Sequence, residues 1–111
     1  MELKEERTER CLVVCIAGRL DTITSGEMEE RLNSIFSSGE NRILADCSKL
    51  DYISSSGLRV LLSGLKKARA AGGILAVCAL RENVREIFDI SGFSTLFEIF
   101  KTKEEGIKSL K

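Results

Sequence analysis

Leu50-Asp51-Tyr52-Ile53-Ser54-Ser55-Ser56-Gly57-Leu58-Arg59-Val60-Leu61-Leu62 is the stretch from which the fold can be read. Three serines and a glycine end an irregular segment, and a strongly apolar helix begins behind them. A serine hydroxyl accepts a hydrogen bond from a free backbone N–H at a helix start, which makes serine a favoured N-cap. One serine is enough for that. Three place spare hydroxyls where backbone N–H groups and the helix dipole favour an anion such as phosphate. Further along, Leu58, Leu61, Leu62 and Leu65 fall on one helical face, with Arg59, Ser63 and Lys66 opposite.

Working outward, Arg42 to Cys47 predicts a short buried strand, and Lys49 to Ile53 leads from it to the serines. Before it, Thr24 with Glu27 has the spacing of a capping box, opening a helix with Met28, Leu32, Ile35 and Phe36 on its apolar stripe. Gly39 suits its end. Earlier still, Cys11 to Ala17 is apolar on both alternating faces, as in a strand covered on both sides, with Gly18 as its end and Arg19 to Ile23 as a loop. Residues 2–7 predict a polar edge strand, joined to it by Thr8-Glu9-Arg10. On the far side, Gly72-Gly73 ends the central helix and Ile74 to Leu80 is the most apolar strand. Asn83 with Glu86 reads as a second capping box, for a short helix that points Val84, Ile87 and Phe88 inward and stops at Ser91-Gly92. Phe97 to Phe100 is a last short strand, and Thr102 with Glu105 caps a terminal helix carrying Ile107 and Leu110. The order β-β-α-β-α-β-α-β-α predicts one α/β domain over residues 1–111. Its sheet should be mixed but mainly parallel, with helices packed on it and an early antiparallel hairpin.

Composition narrows the function. The 111 residues, 43% hydrophobic and 31% charged, describe one ordinary globular domain. Seventeen basic against seventeen acidic residues leave no net field to attract nucleic acid or anionic lipid. The start, Met1 to Arg7, lacks the order of a signal peptide, and no apolar run reaches the ~20 residues of a membrane span. A cytoplasmic protein without direct membrane insertion is the expectation. Cys11, Cys15, Cys47 and Cys78 show no C-x-x-C spacing and sit in apolar runs, so they read as core thiols and no metal site is expected.

In open α/β sheets, ligands and partners meet the loops at the carboxyl ends of the strands, here Gly18 to Thr22 and Ser48 to Gly57. Histidine is absent, which removes the usual base of a serine hydrolase, and the serine cluster is not G-x-S-x-G. Gly57 is followed by no phosphate-cradling motif, so no nucleotide cofactor is expected. Asp21, Asp46 and Asp51 alone make a weak case for metal catalysis, because carboxylates also cap and solvate loops. The remaining reading makes the serines a substrate for another protein's kinase. A phosphate adds about −1.5 to −2 charge, and a helix N-terminus tolerates it. From spacing alone, a mere cap and a phosphorylation switch stand level.

The segment Leu50 to Leu62 resembles the signature of the STAS domain (sulfate transporter and anti-sigma factor antagonist). Gly18-Arg19-Leu20-Asp21, Gly73 to Cys78, and Ile87-Phe88-Asp89-Ile90-Ser91-Gly92-Phe93 agree with the family in order and spacing. The resemblance implies an anti-sigma factor antagonist and not an enzyme. Such a protein binds an anti-sigma factor with serine kinase activity, so releasing a sigma factor, until the kinase phosphorylates it; a serine phosphatase resets it. By position the acceptor is Ser55, with Ser54 and Ser56 the neighbouring candidates. Asp21, Thr22, Ser54, Ser56, Gly57, Leu58 and Arg59 fall in the implied partner surface.

Two residues depart from the family pattern. Ser54 stands where an aspartate is usual, exchanging a fixed charge for a hydroxyl. Arg59 replaces a small residue, and its two readings are a side chain reaching back to a phosphate on Ser55 and a solvated surface charge. The Ser54 exchange also admits an alternative, a regulatory STAS subunit that docks on a membrane lipid-transporter ATPase complex without phosphorylation.

Overall fold

A computed structural model describes residues 1–110; Lys111, the last residue of the expected domain, lies outside them. The elements follow the expected order. They are β1 (Glu2–Arg7), β2 (Leu12–Leu20), α1 (Ser25–Ser37), β3 (Arg42–Ile53), α2 (Ser55–Ala70), β4 (Ile74–Cys78), α3 (Glu82–Ile90), β5 (Ile99–Phe100) and α4 (Lys103–Ser109), with a 3-10 turn at Phe93–Thr95. The five strands lie in sequence order, β1 antiparallel to β2 and the rest parallel.

That strand order explains the layering. Successive right-handed crossovers stepping the same way across a sheet leave their helices on one face. Accordingly, α1, α2 and α3 share the main core, where Leu32, Leu61 and Phe88 meet Val14, Ala45 and Val77. Full burial of each large apolar side chain contributes about 1.5–3 kcal/mol. The second face, with Cys11, Val13, Leu44, Ala76 and Cys78, is covered around Leu110 and Ile107 at the chain's last helix. Hence β2 is closed on both sides only near its start, and Cys15 and Ala17 are half-buried. The edge strand β1 is a row of charges, and Glu5, Glu6 and Arg7 pair with Arg31, Lys103 and Glu40. Such an edge resists pairing with another strand.

Several boundaries differ from the sequence expectation. Gly18 does not end β2, which runs on to Leu20, and Lys49 to Ile53 is not a lead-in but the continuation of β3. The register between β2 and β3 is irregular between Cys15 and Ala17 and again between Gly18 and Arg19. An extra residue of this kind breaks the alternation by which a strand is recognised. β4 stops at Cys78, before Ala79 at φ 58°, and β5 keeps only two residues of the expected Phe97 to Phe100. Leu62 is half-buried, whereas Leu58, Leu61 and Leu65 are buried.

The caps divide. Thr102 accepts from the Glu105 N–H, as the spacing predicts, while the Glu105 carboxylate reaches back one residue beyond the cap, to the Lys101 N–H. Thr24 sits at the α1 cap position but makes no capping bond, and α3 starts at Glu82 with Arg81, not Asn83, before it. The Asn83 amide instead donates to the Asp51 carbonyl at 2.7 Å, a contact between distant residues that local spacing does not reveal.

Candidate functional site

The ends of β2 and β3 lie side by side, Leu20 opposite Ile53, and the Ser54 N–H donates to the Leu20 carbonyl at 2.9 Å. Ser54 then turns the chain from strand to helix. Its backbone is extended (φ −95°, ψ 174°), and its hydroxyl accepts from the Gly57 N–H at 3.2 Å. Ser54 is therefore the N-cap of α2. Aspartate caps equally well, so the exchange at this position keeps the local geometry.

With the cap filled, Ser55 is the first residue of α2, exposed, and its hydroxyl has no hydrogen-bond partner among the described residues. Ser56 is half-buried, its Oγ making a long 3.4 Å contact with the Thr22 Oγ1. Gly57 must be glycine. A Cβ there would lie 2.7 Å from the Leu20 carbonyl oxygen and 2.9 Å from side-chain carbons of Ile53 and Leu20. The first turn of α2 thus rests directly on the end of β2.

Asp21 organises the facing loop. Its Oδ1 accepts from the Ile23 N–H at 3.0 Å and the Thr24 N–H at 3.2 Å, and Arg19 Nε lies 3.4 Å from Oδ2. The Thr24 N–H, then the Ile23 N–H and the Arg19 side chain, hold the Asp21 carboxyl below the usual carboxylate range. Thr24 accepts from the Asp21 N–H and donates to the Arg19 carbonyl. The Arg19 guanidinium also lies 4.3 Å from the centre of the Tyr52 ring.

Among the implied partner-surface residues, Thr22, Ser54, Ser56, Asp21 and Arg59 lie wholly or partly open. Gly57 and Leu58 do not: both are buried, Leu58 to 3% exposure, so they support the surface from below instead of forming it. Arg59 is exposed, and no ion pair holds it among the described residues. One exposed apolar residue of this edge escapes the motif reading. Ile23, at the loop tip, is 90% exposed, and a lone apolar residue in a loop carries no periodic signal.

The other chemistry-bearing residues are occupied elsewhere. Asp51 pairs with Arg81, and Asp46 is buried with its Oδ1 accepting from the Ser48 N–H. No group of three or more Cys, Asp and Glu is placed to hold a metal ion among the described residues. All four cysteines are free thiols. Burial, then the charge of Asp46, pushes the Cys78 thiol up to about 12, and burial pushes Cys47 up further. Such thiols are poor nucleophiles. Among the described residues no helix is long and apolar enough to cross a membrane.

Comparison with known proteins bears on the whole arrangement. The chain is 35% identical over 111 residues to BtrV of Bordetella bronchiseptica, provisionally named an anti-sigma factor antagonist; the match covers 100% of this chain and 96% of BtrV. It is 29% identical to the anti-sigma-B factor antagonist of Bacillus subtilis, covering 93% and 94% of the two chains. The fold matches the unphosphorylated form of the Bacillus anti-sigma factor antagonist SpoIIAA with a TM-score of 0.83 at 23% identity, covering 97% and 95%. The phosphorylated form matches at 0.76 and 20%, covering 99% and 100%. The family model described as the STAS domain matches residues 2–106, from the charged edge strand to the last helix, and takes in both loops of the site. A serine-capped helix seated on the neighbouring strand end is thus set in a chain that belongs to the STAS domain family.

Proposed function

We propose that this protein is an anti-sigma factor antagonist, a cytoplasmic binding switch and not an enzyme. In its unmodified form it binds an anti-sigma factor with serine kinase activity, and a sigma factor is released. The kinase then transfers the γ-phosphoryl group of ATP to the Ser55 oxygen, ADP leaves, and the hydroxyl proton passes to a base of the kinase. A serine phosphatase hydrolyses the phosphoserine and restores binding.

The observation that carries this reading is the division of labour in the serine cluster. Ser54 satisfies the helix, which leaves the Ser55 hydroxyl exposed and unpartnered at the helix start. A phosphate there meets the positive end of α2 and is favoured by about 0.3–1 kcal/mol, so the modification acts on the partner and leaves the fold intact. Fold likeness to SpoIIAA in its phosphorylated form supports the same point, that this architecture accommodates a phosphate. Because Ser54 keeps the cap an aspartate would provide, its presence gives the transporter-docking alternative little independent support.

The test is phosphorylation by serine-kinase anti-sigma factors encoded with this protein, with ATP, read by mass spectrometry. One phosphate on Ser55, abolished in Ser55→Ala, is the expected result. Labelling that survives Ser55→Ala unchanged would remove the assignment.

A further inference from the structure

We propose that Ile23 is the apolar anchor by which this protein is recognised, a residue that its kinase partner buries while reaching Ser55. The inference rests on the reading of the site given above and adds the residue that selects the partner.

Ile23 is 90% exposed, the most exposed of the large apolar side chains among the described residues. It is not a loose residue. Its own N–H is held by the Asp21 carboxylate, the next N–H by the same oxygen, and the Ser25 N–H by the Asp21 carbonyl. The backbone of the loop that carries it is therefore held in place. A loop backbone already held in place has little ordering left to lose when a partner covers it.

Its position decides what covers it. Thr22, the preceding residue, touches Ser56 through the two hydroxyls. Adding side-chain reach and one Cα step places the Ile23 Cα no more than about 12 Å from that of Ser56. A standard interface takes about 800 Å² from each partner, a disc of roughly 16 Å radius. A kinase that centres such a footprint on Ser55 includes Ile23. The adjacent Asp21 carboxylate suits an apolar pocket as well, since it is already bonded to its loop and to Arg19. The second exposed isoleucine, Ile90 at 85%, has a different place. It ends α3, whose opposite, N-terminal end is the part tied to β3, through Arg81 to Ser48 and Asn83 to Asp51. The partner chemistry that fits is a protein surface with a small apolar pocket beside its nucleotide site, sized for a branched aliphatic side chain.

The experiment uses the full chain and the kinase that phosphorylates Ser55 in the assay above. Ile23→Ala should weaken binding of the kinase by about ten- to thirtyfold and raise KM for phosphorylation with kcat little changed, the mark of a docking contact. Ile23→Val should recover most of the loss, and Ile90→Ala should bind as the parent does. Binding and KM of Ile23→Ala within twofold of the parent, with Ser55 still phosphorylated, overturns the anchor and leaves the function standing. Failure of the parent to accept phosphate at Ser55 overturns both. Unchanged melting of Ile23→Ala, expected for so exposed a side chain, supports reading the loss as a loss of contact.

Discussion

Helices α1 and α2 both start where a parallel strand ends, at the same edge of the sheet, and their first turns are finished in opposite ways. At α1 the hydroxyls are used up. Thr24 bonds to the Asp21 N–H and the Arg19 carbonyl, Ser25 donates to the Asp21 carbonyl, and the Asp21 carboxylate accepts from the Ile23 and Thr24 N–H groups just before the helix. At α2 a single side chain, Ser54, does the capping, and the next hydroxyl is left over. The difference shows what makes a serine available. A hydroxyl at a helix start is free for chemistry only when another residue has taken the cap. The glycines repeat the contrast: Gly57 in the first turn of α2 is hemmed in by the β2 end, whereas a Cβ added at Gly26 in the first turn of α1 would meet nothing within 4 Å.

The comparison can be broken most severely at Gly57. Gly57→Ala drives a methyl group against a backbone carbonyl and should destabilise the domain by about 3 kcal/mol, a fall in Tm of roughly 12 °C in a thermal melt. Next in size, Ser55→Asp should lower affinity for the anti-sigma factor by about a hundredfold, equivalent to about 2.7 kcal/mol, with Tm within a few degrees of the parent. Calorimetry of binding and melting on the same samples separates the two effects. A Tm loss as large as that of Gly57→Ala would mean the charge acts on the fold.

Smaller effects sharpen the contrast between the caps. Ser54→Ala should cost about 1 kcal/mol by denaturant unfolding, while Ser54→Asp, which caps as well, should hold the parent stability. Gly26→Ala should stabilise by about 0.5 kcal/mol, since the added methyl group meets open space and the unfolded chain loses freedom. The last effect depends on pH. The Asp21 carboxyl is held below its ordinary value of 3.8, chiefly by the Thr24 N–H, so its folded form binds a proton less readily than its unfolded form. Its contribution is complete above the ordinary value and disappears as pH falls through the lowered one. Asp21→Asn should therefore lower Tm at neutral pH and flatten its dependence on pH below about 4, where the parent has lost the same contribution.

Much of this edge was legible in the sequence, because the serines, the glycine and the leucine stripe are local signals. The spacing found the helix start at Ser54 to Gly57 and the order of the elements. It lost β3 beyond Cys47, where polar Ser48 and Lys49 coincide with the register irregularity against β2 and the alternation fails. It gave Thr24 a capping bond that the structure lacks, since the Thr24 hydroxyl is engaged by the Asp21 N–H and the Arg19 carbonyl instead. It placed Asn83 at a cap where the amide serves the Asp51 carbonyl, a partner 32 residues away. Leu58 belongs to the signature yet packs inward, and Ile23 lies outside every pattern yet faces solvent.

The Cys47 thiol gives the molecule a built-in clock. It lies in the middle of β3, fully shielded, on the same strand that delivers the chain to the serines. A thiol reagent reaches such a group only while the sheet is open, so its rate of labelling counts the openings of the fold. Measured with and without a phosphate on Ser55, that rate compares how tightly the two forms are closed, with no probe added to the chain.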